Sequence, residues 1–412
     1  MVATTISQSE RIGFHCMFPR SSRFSLVAPT LFSVLLLGCQ TTPVSQVAQT
    51  AVAAASDIGS IPHDVPRRRD ADDLGRFIAG LPGTPGSPFL GLEGSDAWKE
   101  HRGQLDAEWR KAEIPLIGGL QEFQKEELNR AEIGRSTVFY PFSGPDAVTL
   151  VLCFPQSPVY VMAALEPAGT LPTAAQIEKK DLSQYLVGIR ATVDSELARS
   201  FFITRQMDRQ FRGQVTDGLL LPILHLLVRT HHTILGFRYI RLDEQGNVID
   251  RAANYHAPGK IGNKGIEIEF RREAEPSSHK LYYFSVDLSD KRLKGDQPFL
   301  TYLARMNSVT TLLKATSYMP HKPGFSVIRD QILARSGAIL QDDSGIPYKY
   351  FVSGGWMVQL YGEYKQPYGS FRWLEQPDLR KAFEAGHPKP LNMRLGYGYS
   401  KVESNLLLAR RP

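Results

Sequence analysis

Two arms of strict alternation between residues 266 and 288 constrain this chain more than any other feature. Ile266, Ile268 and Phe270 alternate with Glu267, Glu269 and Arg271, while Tyr282, Phe284, Val286 and Leu288 alternate along a return segment. Successive strand side chains point to opposite faces, so period two on both arms predicts a half-buried antiparallel hairpin, closed by the polar loop around Pro276. A hairpin alone is marginal in water, so its apolar side needs a cover. Helical stripes supply one. Phe299, Tyr302, Leu303, Met306, Val309 and Leu313 recur at helical spacing behind Pro298, and a second helix is expected from Ser326 to Arg335, stopping at Gly337. Residues 183–207 fit two amphipathic pieces. Residues 218–232 form a strongly apolar helix, with Pro222 in its first turn or at a kink. Ser95-Asp96 opens a further helix carrying Trp98, Leu105 and Trp109.

Strands are expected at 137–140, 148–154, 159–163, 338–340, 348–352, 357–364 and 393–399. The chain is 42% hydrophobic and 22% charged, which excludes disorder and leaves enough apolar content for one large core. No fixed-period repeat and no break between domains is visible. The expected class is α+β: an antiparallel or mixed sheet with packed helices, forming one globular domain over 73–412.

The N-terminus predicts an address. Arg20 and Arg23 precede an apolar run from Phe24 to Gly38, too short to span a bilayer stably, and Cys39 follows. Leu36-Leu37-Gly38-Cys39 resembles the bacterial lipobox, which implies cleavage before Cys39 and acylation, including palmitate, of that cysteine. Residues 1–38 are then a signal peptide, made more compact if translation starts at Met17, and 39–72 a lipidated tether of small and polar residues ending near Arg67-Arg68-Arg69. Gln40 stands where, in enterobacterial lipoproteins, Asp favours inner-membrane retention. The resemblance therefore implies an outer-membrane lipid anchor facing the periplasm, with membrane lipid as the first partner. With Cys16 removed and Cys39 acylated, Cys153 has no disulfide partner, and its apolar surroundings predict an inert buried thiol. The net charge of +6 is spread along the chain and gives no nucleic-acid footprint.

Tyr140-Pro-Phe-Ser-Gly-Pro-Asp146 and Ile339-Leu-Gln-Asp-Asp-Ser-Gly-Ile-Pro-Tyr-Lys-Tyr-Phe351 resemble segments of an uncharacterised group of bacterial envelope proteins. The likeness covers roughly 75–410 and carries no known activity. The same two segments hold the candidate ligand-binding residues: Ser143 and Asp146 in one loop, Asp342, Asp343 and Ser344 in the other. The conformational reading of both loops is the favoured one, because Ser, Gly, Pro and Asp all make turns. Asp342, Asp343 and Ser344 by themselves would suit a hard cation such as Ca²⁺, and Asp146, Asp342 and Asp343 brought to one sheet edge would suit acid–base work on glycosidic bonds. His225, Arg229 and His232 share a helical face, but neither their spacing nor a nearby acid makes a zinc set. There is no nucleophile elbow, phosphate loop or dinucleotide fingerprint, so no catalytic residue, metal or cofactor is assigned. The aromatics clustered from Tyr348 to Tyr399 divide between core and a binding platform. Two functions follow: a non-enzymatic envelope protein binding a protein or glycan, or a surface-anchored hydrolase of envelope polymers acting through the acidic loops.

Overall fold

The structure is a computed structural model that describes residues 69–199, 218–251, 264–273, 275–367, 369–397 and 404–412. They belong to one compact unit, Asp64–Pro412. The expected signal, Cys39, the expected tether as far as Arg68, and residues 200–207 lie outside the described residues, whereas Arg69–Asp72, expected to end the tether, are the first turn of a helix with Ala71 and Asp72 buried.

Ten strands make one mixed sheet: β1 (Val138–Pro141), β2 (Val159–Ala164), β3 (His232–Leu242), β4 (Val248–Asp250), β5 (Lys264–Arg272), β6 (His279–Ser285), β7 (Val309–Leu313), β8 (Ser336–Gln341), β9 (Met357–Gly362) and β10 (Asn405–Arg410). Their order is β4-β3-β5-β6-β2-β1-β7-β8-β10-β9. The centre, β6-β2-β1-β7-β8, is parallel throughout. β5, β3 and β4 extend one side antiparallel, and β10 runs antiparallel between β8 and β9 on the other. The expected single domain with a mixed sheet and packed helices is what the chain forms.

Parallel strands need crossovers, and the helices provide them on both faces. The named helices are α1 (Arg69–Ile78), α2 (Asp96–Ala112), α3 (Ala147–Cys153), α4 (Leu182–Arg199), α5 (Leu220–Arg229), α6 (Gln297–Arg305), α7 (Ser326–Arg335) and α8 (Pro377–Ala385). One face of the sheet packs Val138, Tyr140, Tyr160 and Met162 with α1, α3 and α5; the other packs Phe139, Val161 and Phe284 with α6 and α7. Because both faces are covered, the polar position at the middle of the hairpin is not left in water, although Arg271 near its end is exposed. Glu267 is only 6% exposed and meets the Arg238 guanidinium at 2.5 Å. The hairpin itself forms, with Ile268 opposite Leu281 and Ile266 opposite Tyr283.

Several elements differ from the sequence reading. Residues 148–154 are not a strand: 148–153 lie in α3 and Phe154 follows its end, and the helix N-terminus is capped by the Asp146 carboxylate accepting from the Thr149 amide. A short apolar run buried on all sides carries no period, and here the cap decides. The stripe from Phe299 to Leu313 splits: α6 ends at Arg305, and Val309–Leu313 is the central strand β7. Residues 349–353 are a helical turn rather than a strand. Residues 393–397 are not a strand, and the last strand is Asn405–Arg410. Pro222 does sit in the first turn of α5, where its missing N–H costs nothing.

The helix opened by Ser95 runs far beyond its expected stripe. It continues from α2 through a π-helical stretch at Glu113–Gly118, an α-helical turn at Gly119–Phe123 and a second π-helical stretch at Gln124–Leu128. Pro115 has no N–H to give to the preceding turn and crowds it, which favours a locally wider coil.

Candidate functional site

Numbering only the parallel strands, their order is third, second, first, fourth, fifth, so the chain leaves β1 toward one side and later returns to the other. The gap between the C-terminal ends of β1 and β7 is therefore a topological switch point, where open α/β sheets bind their ligands. The loops reaching this crest are 142–146 after β1, 314–318 after β7 and 342–344 after β8. All five candidate residues, Ser143, Asp146, Asp342, Asp343 and Ser344, stand in these loops. The reading of two loops at one sheet edge is realised in the topology, but their chemistry is different from an open acid–base pair.

Asp146 is 1% exposed. It meets Lys314 Nζ at 2.5 Å and accepts from the Tyr140 hydroxyl at 2.8 Å and the Thr149 amide at 3.1 Å. Lys314, 3% exposed, also donates to Thr149 Oγ1 at 3.0 Å. A helix N-terminus that follows β1 at a switch point ordinarily attracts a ligand phosphate. Here the Asp146 carboxylate takes the amide end of α3, so that anion position is already filled by the chain. Ser143 is buried, and its hydroxyl turns back to the Gly144 carbonyl at 3.0 Å.

Asp342 accepts at Oδ1 from the Ser344 amide at 3.0 Å and hydroxyl at 2.5 Å, and at Oδ2 from the amides of Ala315 at 2.9 Å and Tyr397 at 3.3 Å. Asp343 accepts at Oδ2 from the Tyr318 hydroxyl at 2.5 Å and at Oδ1 from Asn405 Nδ2 at 3.3 Å, while its own amide donates to Asn405 Oδ1. Ser344 Oγ accepts from the Thr316 amide at 2.9 Å. Gly396 lies so close that a Cβ there would fall 1.9 Å from Asp342 Oδ2. Burial raises both carboxyls above the usual range, and the neighbouring Asp342 charge helps push Asp343 to about 7. Such a carboxyl resembles a general acid in its titration. Its oxygens, however, face Tyr318 and Asn405 rather than a substrate.

These bonds hold the loop after β7 in an unusual backbone. Ala315, Ser317 and Tyr318 all have φ between 50° and 54°, and Phe142 in the opposite loop has φ 61°. Non-glycine residues take this region only when their surroundings over-determine it. Over the knot, the rings of Tyr318, Phe371 and Tyr397 lie within 5.0–6.1 Å of one another, and Trp373 stands 79% exposed beneath the Arg372 guanidinium. Among the other described C-terminal aromatics, Phe351, Trp356, Tyr361 and Tyr364 are core, 8% exposed or less.

Lys314, Tyr318, Asn405 and Tyr397 are essential to the knot and were not marked by sequence motifs. A lone lysine directly after the apolar run 309–313 was a usable signal, had that run been read as a strand. The histidines do not join the crest. His225 is fully buried on α5, Arg229 binds Asp106 at 2.7 Å, and His232 opens β3 at the far edge. Burial drives the His225 ring well below its ordinary titration range, and likewise brings His232 to about 4. Cys153 is buried, and its thiol is pushed up to about 12 by burial and then by the Asp146 charge. Among the described residues no three His, Cys, Asp or Glu side chains converge to hold a metal, and no helix is long and apolar enough to cross a membrane. No family model, curated protein or solved structure matches the chain.

Proposed function

We propose that the chain is a bacterial envelope lipoprotein, held on the membrane through an acylated Cys39, whose domain binds an envelope protein or glycan rather than transforming it. One observation supports binding over hydrolysis. Every carboxylate oxygen of Asp146, Asp342 and Asp343 accepts from an internal donor, and the three residues are 1–6% exposed. A hydrolase needs a carboxyl aimed at the scissile bond and another at the attacking water or reacting carbon. A binder needs a rigid platform, and the knot provides one under Phe371, Tyr397 and Trp373. Aromatic faces of this kind suit sugar rings and protein surfaces alike.

The test compares retention of the wild-type protein and of Phe371→Ala and Trp373→Ala variants on cell-wall glycan and on envelope membrane proteins. Retention on one of these is expected, with its loss in both variants, an unchanged thermal midpoint in Trp373→Ala and a retained circular-dichroism spectrum in Phe371→Ala. Release of soluble glycan products by the wild type, abolished by Asp343→Asn, would instead establish the hydrolase. Acylation is tested separately: Cys39→Ser should leave the domain soluble and without lipid.

A further inference from the structure

The opposite, N-terminal edge of the sheet carries a cleft of about 1050 Å³, large enough for a drug-sized ligand. One wall is the long helix through both of its π-helical stretches, contributing Trp109, Ile114 and Ile117. π-helical turns occur frequently at functional sites. Ile114 is 82% exposed on this wall, an apolar side chain left in water beside a half-buried tryptophan. The other wall is the corner between α5 and β3 together with the end of β5, contributing Arg229, His231 and Arg272. His231 turns this corner with φ 63°, in the left-handed region.

The charges divide by wall. Glu113, Glu122 and Glu126 come from the helix, with Lys125 among them, whereas both arginines come from the corner. Arg229 is 8% exposed; its Nε donates to the Ala79 carbonyl and its Nη1 to Asp106, but its Nη2 has no partner among the described residues. Native proteins rarely leave a buried donor unpaired. Arg272 is half-exposed and holds Glu275 loosely at 3.5 Å. The Arg229 guanidinium lies over the Trp109 ring at 5.9 Å, so the charge open to a ligand at the corner is chiefly that of Arg272. A negative group there would answer it, and an apolar body leading away would cover Ile114.

We propose that this cleft binds an anionic amphiphile, its carboxylate or phosphate head at the Arg229–Arg272 corner and its apolar chain along Trp109, Ile114 and Ile117. The acids on the helical wall fix the direction, because the reversed ligand would bring its head against Glu113 and Glu122. The site is independent of the crest and stands whether or not the crest binds a partner.

The experiment is calorimetric titration of the full protein with dodecanoate below its micellar concentration, with acetate and dodecyl maltoside as the head-only and uncharged probes. Saturable one-to-one binding of dodecanoate is expected, with no measurable acetate binding and weaker dodecyl maltoside binding. Ile114→Asp and Arg272→Gln should each weaken dodecanoate binding about tenfold, as loss of apolar cover or of one charge-assisted bond does. The thermal midpoint should change little, since Ile114 is exposed and half-exposed Arg272 holds Glu275 only loosely. Phosphatidylglycerol vesicles separate the sources of such a ligand. Retention on them that falls in Ile114→Asp assigns the site to bilayer lipid, and binding of the monomer alone assigns it to a soluble amphiphile. Equal binding of dodecanoate and dodecyl maltoside, acetate binding as tight as dodecanoate, or affinity unchanged in both variants overturns the proposal.

Discussion

Replacing Lys314 by Met tests the crest as a structural knot. Lys314 and Asp146 have side chains 2% and 1% exposed and meet at 2.5 Å. The substitution leaves Asp146 charged and buried with the Tyr140 hydroxyl and the Thr149 amide as its remaining neutral donors. Breaking a buried pair from one side costs about 3–5 kcal/mol, and the two residual hydrogen bonds place this case near the lower end, at about 3 kcal/mol. Asp146→Asn removes the carboxylate from beside the buried Lys314 ammonium and should cost about 3–4 kcal/mol by the same reasoning. The double variant removes both charges and keeps the shape, so it should fall only about 1–2 kcal/mol below wild type. Urea unfolding followed by circular dichroism measures all three, with slopes expected to agree. Single variants within about 1 kcal/mol of wild type, or a double variant whose loss equals the sum of the singles, would refute the reasoning.

Other groups give further expectations. His101 and His232 are held at about 4 by burial, against an ordinary value of 6.5. Their unfolded forms take up protons first, so stability present above pH 6.5 is lost as pH falls toward 4, by about 2 kcal/mol each at pH 5. Asp343, held at about 7 from an ordinary 3.8, acts oppositely and gains stability as pH falls from 7. Unfolding free energy from pH 7 to pH 5 should therefore decline, and decline more steeply in Asp343→Asn. Gly396→Ala places a Cβ against Asp342 at a backbone φ of 70°, and a loss of about 2–4 kcal/mol should appear in the urea midpoint. Cys153 should resist iodoacetamide at pH 8 in the native protein and react in urea, read by mass spectrometry of its peptide; rapid native labelling would mean that the thiol is not buried as described.

The strongest periodic signals were legible. The hairpin of β5 and β6, the stretch in α7 and the amphipathic opening of α2 all follow from residue spacing. Sequence failed where burial was complete. Residues 148–154 and 309–313 carry no polar face, so neither helix nor strand leaves a period, and exchanging their identities hid the parallel centre of the sheet. The crest loops were found because Asp, Ser and Gly cluster there. What those residues do was hidden, because their partners Lys314, Tyr318, Tyr397 and Asn405 come from other loops and from β10. Pro115 was visible in the sequence, but a proline that widens a helix reads the same as one that ends it.

The central claim is that the crest holds an aromatic binding face on carboxylates that serve only the fold. Its most direct test is retention on cell-wall glycan and envelope proteins by the wild type and by Phe371→Ala/Trp373→Ala, with soluble products assayed in the same samples. Specific retention by the wild type is expected, at least about tenfold weaker in the double variant while its circular dichroism is unchanged, and no products. Retention indifferent to both aromatic substitutions, or glycan products that vanish in Asp343→Asn, would contradict it.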